Sequence, residues 1–159
     1  MQDFRKLRVW RAAHAFTVEV YRITRSFPPE ERYGLTSQLR RAAGSIGANL
    51  SEGCGCETAR EQAHYTQMGT RSTFETLNHL LVARDTNCLA PATFDDLEYK
   101  LGAIRRMIVR FLTKVRHRQA LDESRRRHRA RSAPPTAAVR PPSHAAPRTK
   151  CGGAPPTAP

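Results

Sequence analysis

The sequence predicts an all-α protein: an antiparallel up-and-down four-helix bundle over residues 1–120, then a disordered basic tail over 121–159. Three observations carry this. Four stretches repeat apolar residues at steps of 3 and 4, the spacing of one face of an α-helix. Short runs holding proline, glycine or asparagine separate them, and no stretch sustains the period-2 alternation of a strand. Beyond about Asp122 the periodicity stops, and eight of the eleven prolines fall in the remainder beside one large aliphatic residue, Val139. Such a segment buries too little apolar area to offset its ordering entropy.

The first helix is predicted from about Asp3 to Ser26, with Val9, Ala13, Phe16, Val20, Ile23 and Phe27 on its inner face and Trp10 at the edge. Arg5, Lys6, Arg8 and Arg11 make its start basic, either a phosphate contact or a solvated face. Pro28 and Pro29 end it, since neither supplies the N–H the ladder needs.

The stretch YGLTSQLRRAAGSIGANLSEG, residues 33–53, is the organising element. Leu35, Leu39, Ala43, Ile46 and Leu50 form its apolar face, Thr36 is its expected N-cap and Gly53 its expected left-handed C-cap. Ala42 to Ser51 carries no charge, so the helix reads as covered on more than one side. Gly44 and Gly47 each cost about 1 kcal/mol against alanine in an exposed helix; close approach of another helix would offset that. A polar stripe of Gln38, Arg41, Ser45, Asn49 and Glu52 lies beside the apolar face, where a neighbouring helix or subunit would meet it. The stretch is an ordinary capped core helix or one that also builds a subunit interface.

A third helix is expected after Cys54-Gly-Cys56-Glu57, with Glu57 and Glu61 at its positive end and Ala63, Gln67, Thr70, Phe74, Leu77 and Leu81 inward. It should end near Asp85, with Asn87 at the stop. Pro91 suits the first position of a fourth helix, and Leu97, Leu101, Ile104, Ile108, Phe111 and Val115 give it an inner face. The run RRRHRAR adds a turn or two before fraying.

Charge is the main compositional fact. The chain has 27 Lys and Arg against 14 Asp and Glu, a net charge of +13. Eight basic residues and no acid follow Ser124; the 19 before it face 14 acids, a net of +5. Such a surplus favours polyanions through counterion release, without sequence specificity; codon bias in a GC-rich genome produces the same composition. The candidate nucleic-acid contacts are Arg40 and Arg41 on the second helix, Arg105, Arg106 and Arg110 on the fourth, and Arg125, Arg126 and Arg127 beyond it. No base-stacking aromatic platform accompanies them.

Other chemistries find little support. Cys54-Gly-Cys56 with His64 lacks the spacing and the second pair of a zinc site, and His79 and Cys88 lie far off in sequence. There is no Gly-x-Ser-x-Gly and no phosphate-binding glycine loop with its lysine. Asp95-Asp96 and Glu30-Glu31 are adjacent in sequence and diverge on a helix. The expectation is no enzyme, no metal, no cofactor and no small-molecule substrate. The start MQDFRKLRVW lacks a signal peptide's apolar run, and no segment approaches the roughly 20 apolar residues of a membrane span. A cytoplasmic chain follows, with Cys54, Cys56, Cys88 and Cys151 as free thiols.

The segments DFRKLRVWRAAHAF, FPPEERYGLTSQLRRAAGSI and ANLSEG, in this order and with these gaps, resemble the bacterial four-helix-bundle proteins encoded by intervening sequences of large-subunit ribosomal RNA genes. The resemblance covers about Asp3 to Arg118 and excludes the tail. It implies an antiparallel bundle assembling as a pentameric ring, no enzymatic activity, and distant kinship to an accessory protein that works with a reverse transcriptase and nucleic acid. Asn49, Glu52 and Glu75 match recurrent polar positions of the family. Asn49 and Glu52 either satisfy groups within the bundle or form a polar ring facing a channel. Many relatives carry a basic run after the glutamate-glycine of the second helix; this chain has Cys54-Gly-Cys56-Glu57 there, which places polyanion contact at that loop in question. The resulting expectation is a homo-oligomeric scaffold whose partner is RNA, DNA or a nucleic-acid enzyme, or a purely structural self-assembling module.

Overall fold

A computed structural model describes residues 2–132; the tail expected to be disordered lies, from residue 133 on, outside the described residues. Four helices pack as an antiparallel up-and-down bundle: α1 (Arg8–Ile23), α2 (Leu35–Gly55), α3 (Ala59–Asp85) and α4 (Pro91–Ser132). No strand occurs among the described residues. Single 3-10 turns at Phe4–Lys6 and Thr24–Ser26 stand where one long first helix was expected to begin and end, and a third at Pro29–Arg32 forms the connection to α2. Asp3 starts the first turn by accepting from the Arg5 amide at 3.0 Å. The Gln2 amide donates to the Cys54 carbonyl (3.3 Å), which fastens the N-terminus to the end of α2.

The apolar stripes of α1, α2 and α4 meet as their spacing predicts. Leu35, Leu39, Ala43, Ile46 and Leu50 are all buried, as are Val9, Ala13, Phe16 and Val20 opposite them. From α4 come Phe94, Leu97, Leu101, Ile104, Ile108 and Val115, while Phe111 is half-buried. Burial of each such side chain contributes about 1.5–3 kcal/mol. Trp10 packs at the rim, edge-on to Phe4 and stacked on His14.

The inner face of α3 departs from expectation. Of the residues expected inward only Ala63 is buried; Gln67 is exposed and Phe74 is 56% exposed. Thr66, Gly69, Ser72, Thr73, Thr76, Leu80 and Ala83 face the core instead. The cause is proximity. A Cβ on Gly69 would lie 3.5 Å from the Ile46 carbonyl oxygen, and one on Gly53 would lie 3.3 Å from the Tyr65 Cβ. Only small side chains fit a seam this narrow, so the large ones rotate to its edge. The threonines enter because their hydroxyls donate back to their own helix: Thr66 to the Gln62 carbonyl and Thr76 to the Ser72 carbonyl, each at 2.7 Å. With the hydroxyl satisfied, the methyl packs as an apolar group.

Two capping expectations are corrected. α2 starts on the carboxylate of Glu31, which accepts from the Leu35 amide at 2.9 Å; Thr36 is already inside the helix and buried. Gly53 does not end α2 in a left-handed conformation, because the helix runs on to Gly55 and Gly53 serves the α2–α3 approach. The left-handed residue is Asn87 (φ 59°), at the stop of α3. α3 opens on a capping box: Thr58 accepts from the Glu61 amide, and the Glu61 carboxylate accepts from the Thr58 amide.

α4 runs past the boundary expected at residue 120. Residues 121–132 continue the helix to Ser132, where RRRHRAR was expected to add a turn or two. Extension of a packed helix needs no new nucleus, and Leu, Ala, Arg and Glu are good helix formers. The lost apolar rhythm marks the end of the bundle rather than the end of the helix.

Candidate nucleic-acid interface

The start of α1 lies against the middle of α4. Lys6 from the turn before α1, Arg8 from α1, and Arg110 and Lys114 from α4 surround a shallow cleft of about 410 Å³, floored by Leu7, Val9, Met107 and Phe111. No acidic residue lines it. All four cations are exposed to solvent around this apolar floor. Along α4 the same side continues as Arg106, Arg110, Lys114, His117, Leu121, Arg125 and His128, at steps of 4, 4, 3, 4, 4 and 3, every one exposed. Arg125, Arg126, Arg127, Arg129 and Arg131 are all exposed on the last turns of α4. From Gln119 to Ser132 this arm extends about 20 Å.

The expected cations do not form one patch. Arg40 is held at the other end of α1, where its Nε donates to the Thr24 Oγ1 at 2.7 Å and its guanidinium lies 4.9 Å from the Tyr21 ring centre. Arg41 donates to the Gln38 Oε1 at 2.6 Å. Arg105 lies over the Phe74 ring at 5.0 Å, on the α3 side of α4. Arg106 and Arg110 share the α4 stripe, and Arg125 continues it. Arg126 instead helps line a mixed-charge cleft with Glu57, Glu61, Asp122 and Glu123 at the root of the arm. Lys114 and His117 went unnoticed in the sequence, although the i, i+4 step from Arg110 to Lys114 was a readable signal.

The polar stripe of α2 turns inward only in its middle, at Ser45 and Asn49, while Arg41 and Glu52 are exposed. Asn49 is buried, and its Nδ2 donates to the Ser45 carbonyl at 2.8 Å and lies 3.1 Å from the Ser45 Oγ. The Ser45 and Ser72 hydroxyls are hydrogen-bonded at 3.1 Å across the α2–α3 seam. Gln38 is half-buried. Within one subunit Gly44 and Gly47 do not carry the close helix approach expected of them: a Cβ at Gly44 would meet nothing within 4 Å, and one at Gly47 only the Trp10 Nε1 at 3.7 Å.

Cys54 is buried at the end of α2; Cys56 and Cys88 are half-buried, and all three are free thiols. Burial pushes the Cys54 thiol above its ordinary value, against the opposing hydrogen bond to Gln62. Among the described residues no three His, Cys, Asp or Glu side chains are grouped to hold a metal ion, and no helix is long and apolar enough to cross a membrane.

No curated protein sequence matches the chain. Among solved structures, a protein of unknown function from the S23 ribosomal protein family of Bacteroides thetaiotaomicron superposes with a TM-score of 0.62 at 16% identity, over 66% of this chain and 95% of that one. At that identity the likeness concerns the fold. The sequence profile of the 23S rRNA-intervening sequence proteins matches residues 5–110, which spans α1, α2, α3 and the first half of α4. The chain belongs to the 23S rRNA-intervening sequence protein family.

Proposed function

We propose that this chain is a non-enzymatic, homo-oligomeric scaffold of the cytoplasm that associates with nucleic acid. One observation carries the reading: the acid-free cluster of Lys6, Arg8, Arg110 and Lys114, continued along α4 to the exposed arginines of its arm. Four cations converging on an open apolar-floored cleft match the backbone of a polyanion, where each neutralised phosphate releases counterions. Assembly would repeat this surface in each subunit, and multivalency raises affinity without new contacts. A pentamer, as the sequence resemblance implies, would present five arms.

The second reading is a structural self-assembling module that binds no nucleic acid. It is favoured by the apolar surface where Phe74, 56% exposed, and Val109, 49% exposed, flank Arg105 between α3 and α4. Size-exclusion chromatography with light scattering, on the full chain with and without total RNA or duplex DNA at low and high salt, separates the two. The scaffold reading expects an oligomer that carries nucleic acid at low salt and releases it at high salt. An oligomer that ignores nucleic acid at low salt leaves the structural module. A monomer refutes both.

A further inference from the structure

We infer that the arm of α4 beyond Arg118 is built to lie in the major groove of double-stranded DNA; this rests on the nucleic-acid reading above and names the class of partner.

The arm keeps one flank, Gln119, Asp122, Glu123 and Arg126, beside the start of α3, and leaves the bundle beyond Arg126. Its last hydrogen bond to another helix, among the described residues, is that of Arg118 to Gln62. Residues 121–129, 131 and 132 are all exposed. Successive residues on an α-helix turn about 100° around the axis. Arg125, Arg126 and Arg129 therefore cover one half of the circumference, and Arg127 and Arg131 the other. A helix resting on a flat polyanion or beside one strand uses a single charged face. A helix inside a groove meets phosphates on two walls, and guanidiniums on all sides suit that setting.

Dimensions narrow the partner further. A helix with its side chains measures about 10–12 Å across, which fits the roughly 12 Å major groove of B-form DNA. The major groove of A-form RNA is too deep and narrow for it. Single strands are held by aromatic stacking platforms, and residues 118–132 contain no Phe, Tyr or Trp. Asp122 and Glu123 at the root share a cleft with Glu57 and Glu61, and with Arg60 and Arg126. The four acids disfavour phosphate at the root, so contact is expected from Arg125 outward, with Arg126 at its inner edge. Arginine on phosphate reads no bases, so binding is independent of sequence.

Fluorescence anisotropy of the full chain tests this with a 20-base-pair DNA duplex, an RNA duplex of matching sequence and the single DNA strand. The DNA duplex is expected to bind tightest. If all five arginines contact phosphates, doubling the salt concentration weakens binding by about 20-fold. Replacing Arg125, Arg126, Arg127, Arg129 and Arg131 together by Gln should flatten that salt dependence and abolish the DNA preference. Ser124→Pro retains every charge and breaks the arm's helix; it should bring duplex DNA down to the affinity of the single strand and leave the single strand unchanged. Circular dichroism and gel filtration check that the bundle survives in each variant. RNA duplex or single strand bound as tightly as DNA, or a DNA preference surviving either variant, overturns the groove inference and leaves nucleic-acid association standing. Absence of binding to all three at low salt overturns both.

Discussion

The guanidinium of Arg118 donates to the Oε1 of Gln62, and no hydrogen bond further along α4 reaches another helix among the described residues. Gln62 is buried in the second turn of α3, so the contact pins α4 at the level where the bundle ends. Gln62→Ala should lower stability by about 1 kcal/mol, the typical net worth of such a bond. It should also free the root of the arm. Hydrogen exchange reads both effects: amides from Arg116 onward exchange faster in the variant, while those around Ile104 and Ile108 stay protected.

The glycines of α2 differ in what surrounds them, and alanine should separate them. Gly44→Ala adds a methyl to open space and should stabilise the helix by about 0.5–1 kcal/mol. Gly53→Ala brings a methyl to 3.3 Å from the Tyr65 Cβ and 3.4 Å from the Gln62 carbonyl oxygen, neither of which moves freely. It should destabilise by about 1–3 kcal/mol as an overpacking change. Thermal denaturation of both variants checks the contrast. If Gly44→Ala dissociates an oligomer instead, α2 packs against a second subunit at that position.

The cap of α2 gives a second contrast. Glu31→Ala removes the acceptor of the Leu35 amide and should cost about 1 kcal/mol. Thr36→Val, at the position whose residue type suggests a cap, should cost less than about half as much, because its side chain caps nothing. Urea denaturation of the two variants side by side measures the difference.

Burial favours the neutral thiol of Cys54, so its thiolate fraction at mild pH falls below that of an ordinary cysteine. Alkylation by iodoacetamide near pH 8 should therefore be slower at Cys54 than in the unfolded chain, and should accelerate as pH rises past the ordinary thiol value of 9.0. Mass spectrometry of peptides after timed quenching resolves the site. A Cys54 that reacts as fast folded as unfolded contradicts its burial.

Much of the fold was legible because apolar side chains betray the period of their helix. Leu35 through Leu50 and Leu97 through Val115 read correctly on that basis. α3 misread because threonine and serine count as polar in a sequence, whereas a hydroxyl satisfied by its own helix leaves only a methyl to pack. The length of α4 was legible only in part: a helix end without an apolar stripe shows no period, and only the run RRRHRAR pointed past residue 120. The basic site was half legible. Periodicity sets the angle of each arginine on its own helix but not what the adjacent helix supplies. Arg40 therefore looked available until Thr24 and Tyr21 were seen to hold it, and the partnership of Lys6 and Arg8 with Arg110 and Lys114 follows only from how α1 meets α4.

The α2–α3 seam has one further consequence. Where Gly53 and Gly69 bring backbone against neighbouring atoms, the spacing of two helices is fixed by main chain rather than by side-chain volume. The bundle is thus asymmetric in the error it forgives. A bulkier residue facing the α1–α4 cleft has solvent to expand into, whereas one at Gly53 presses on α3 at once and one larger than alanine at Gly69 presses on α2. Variation in this protein should accumulate on the α1–α4 side and stall along the α2–α3 seam.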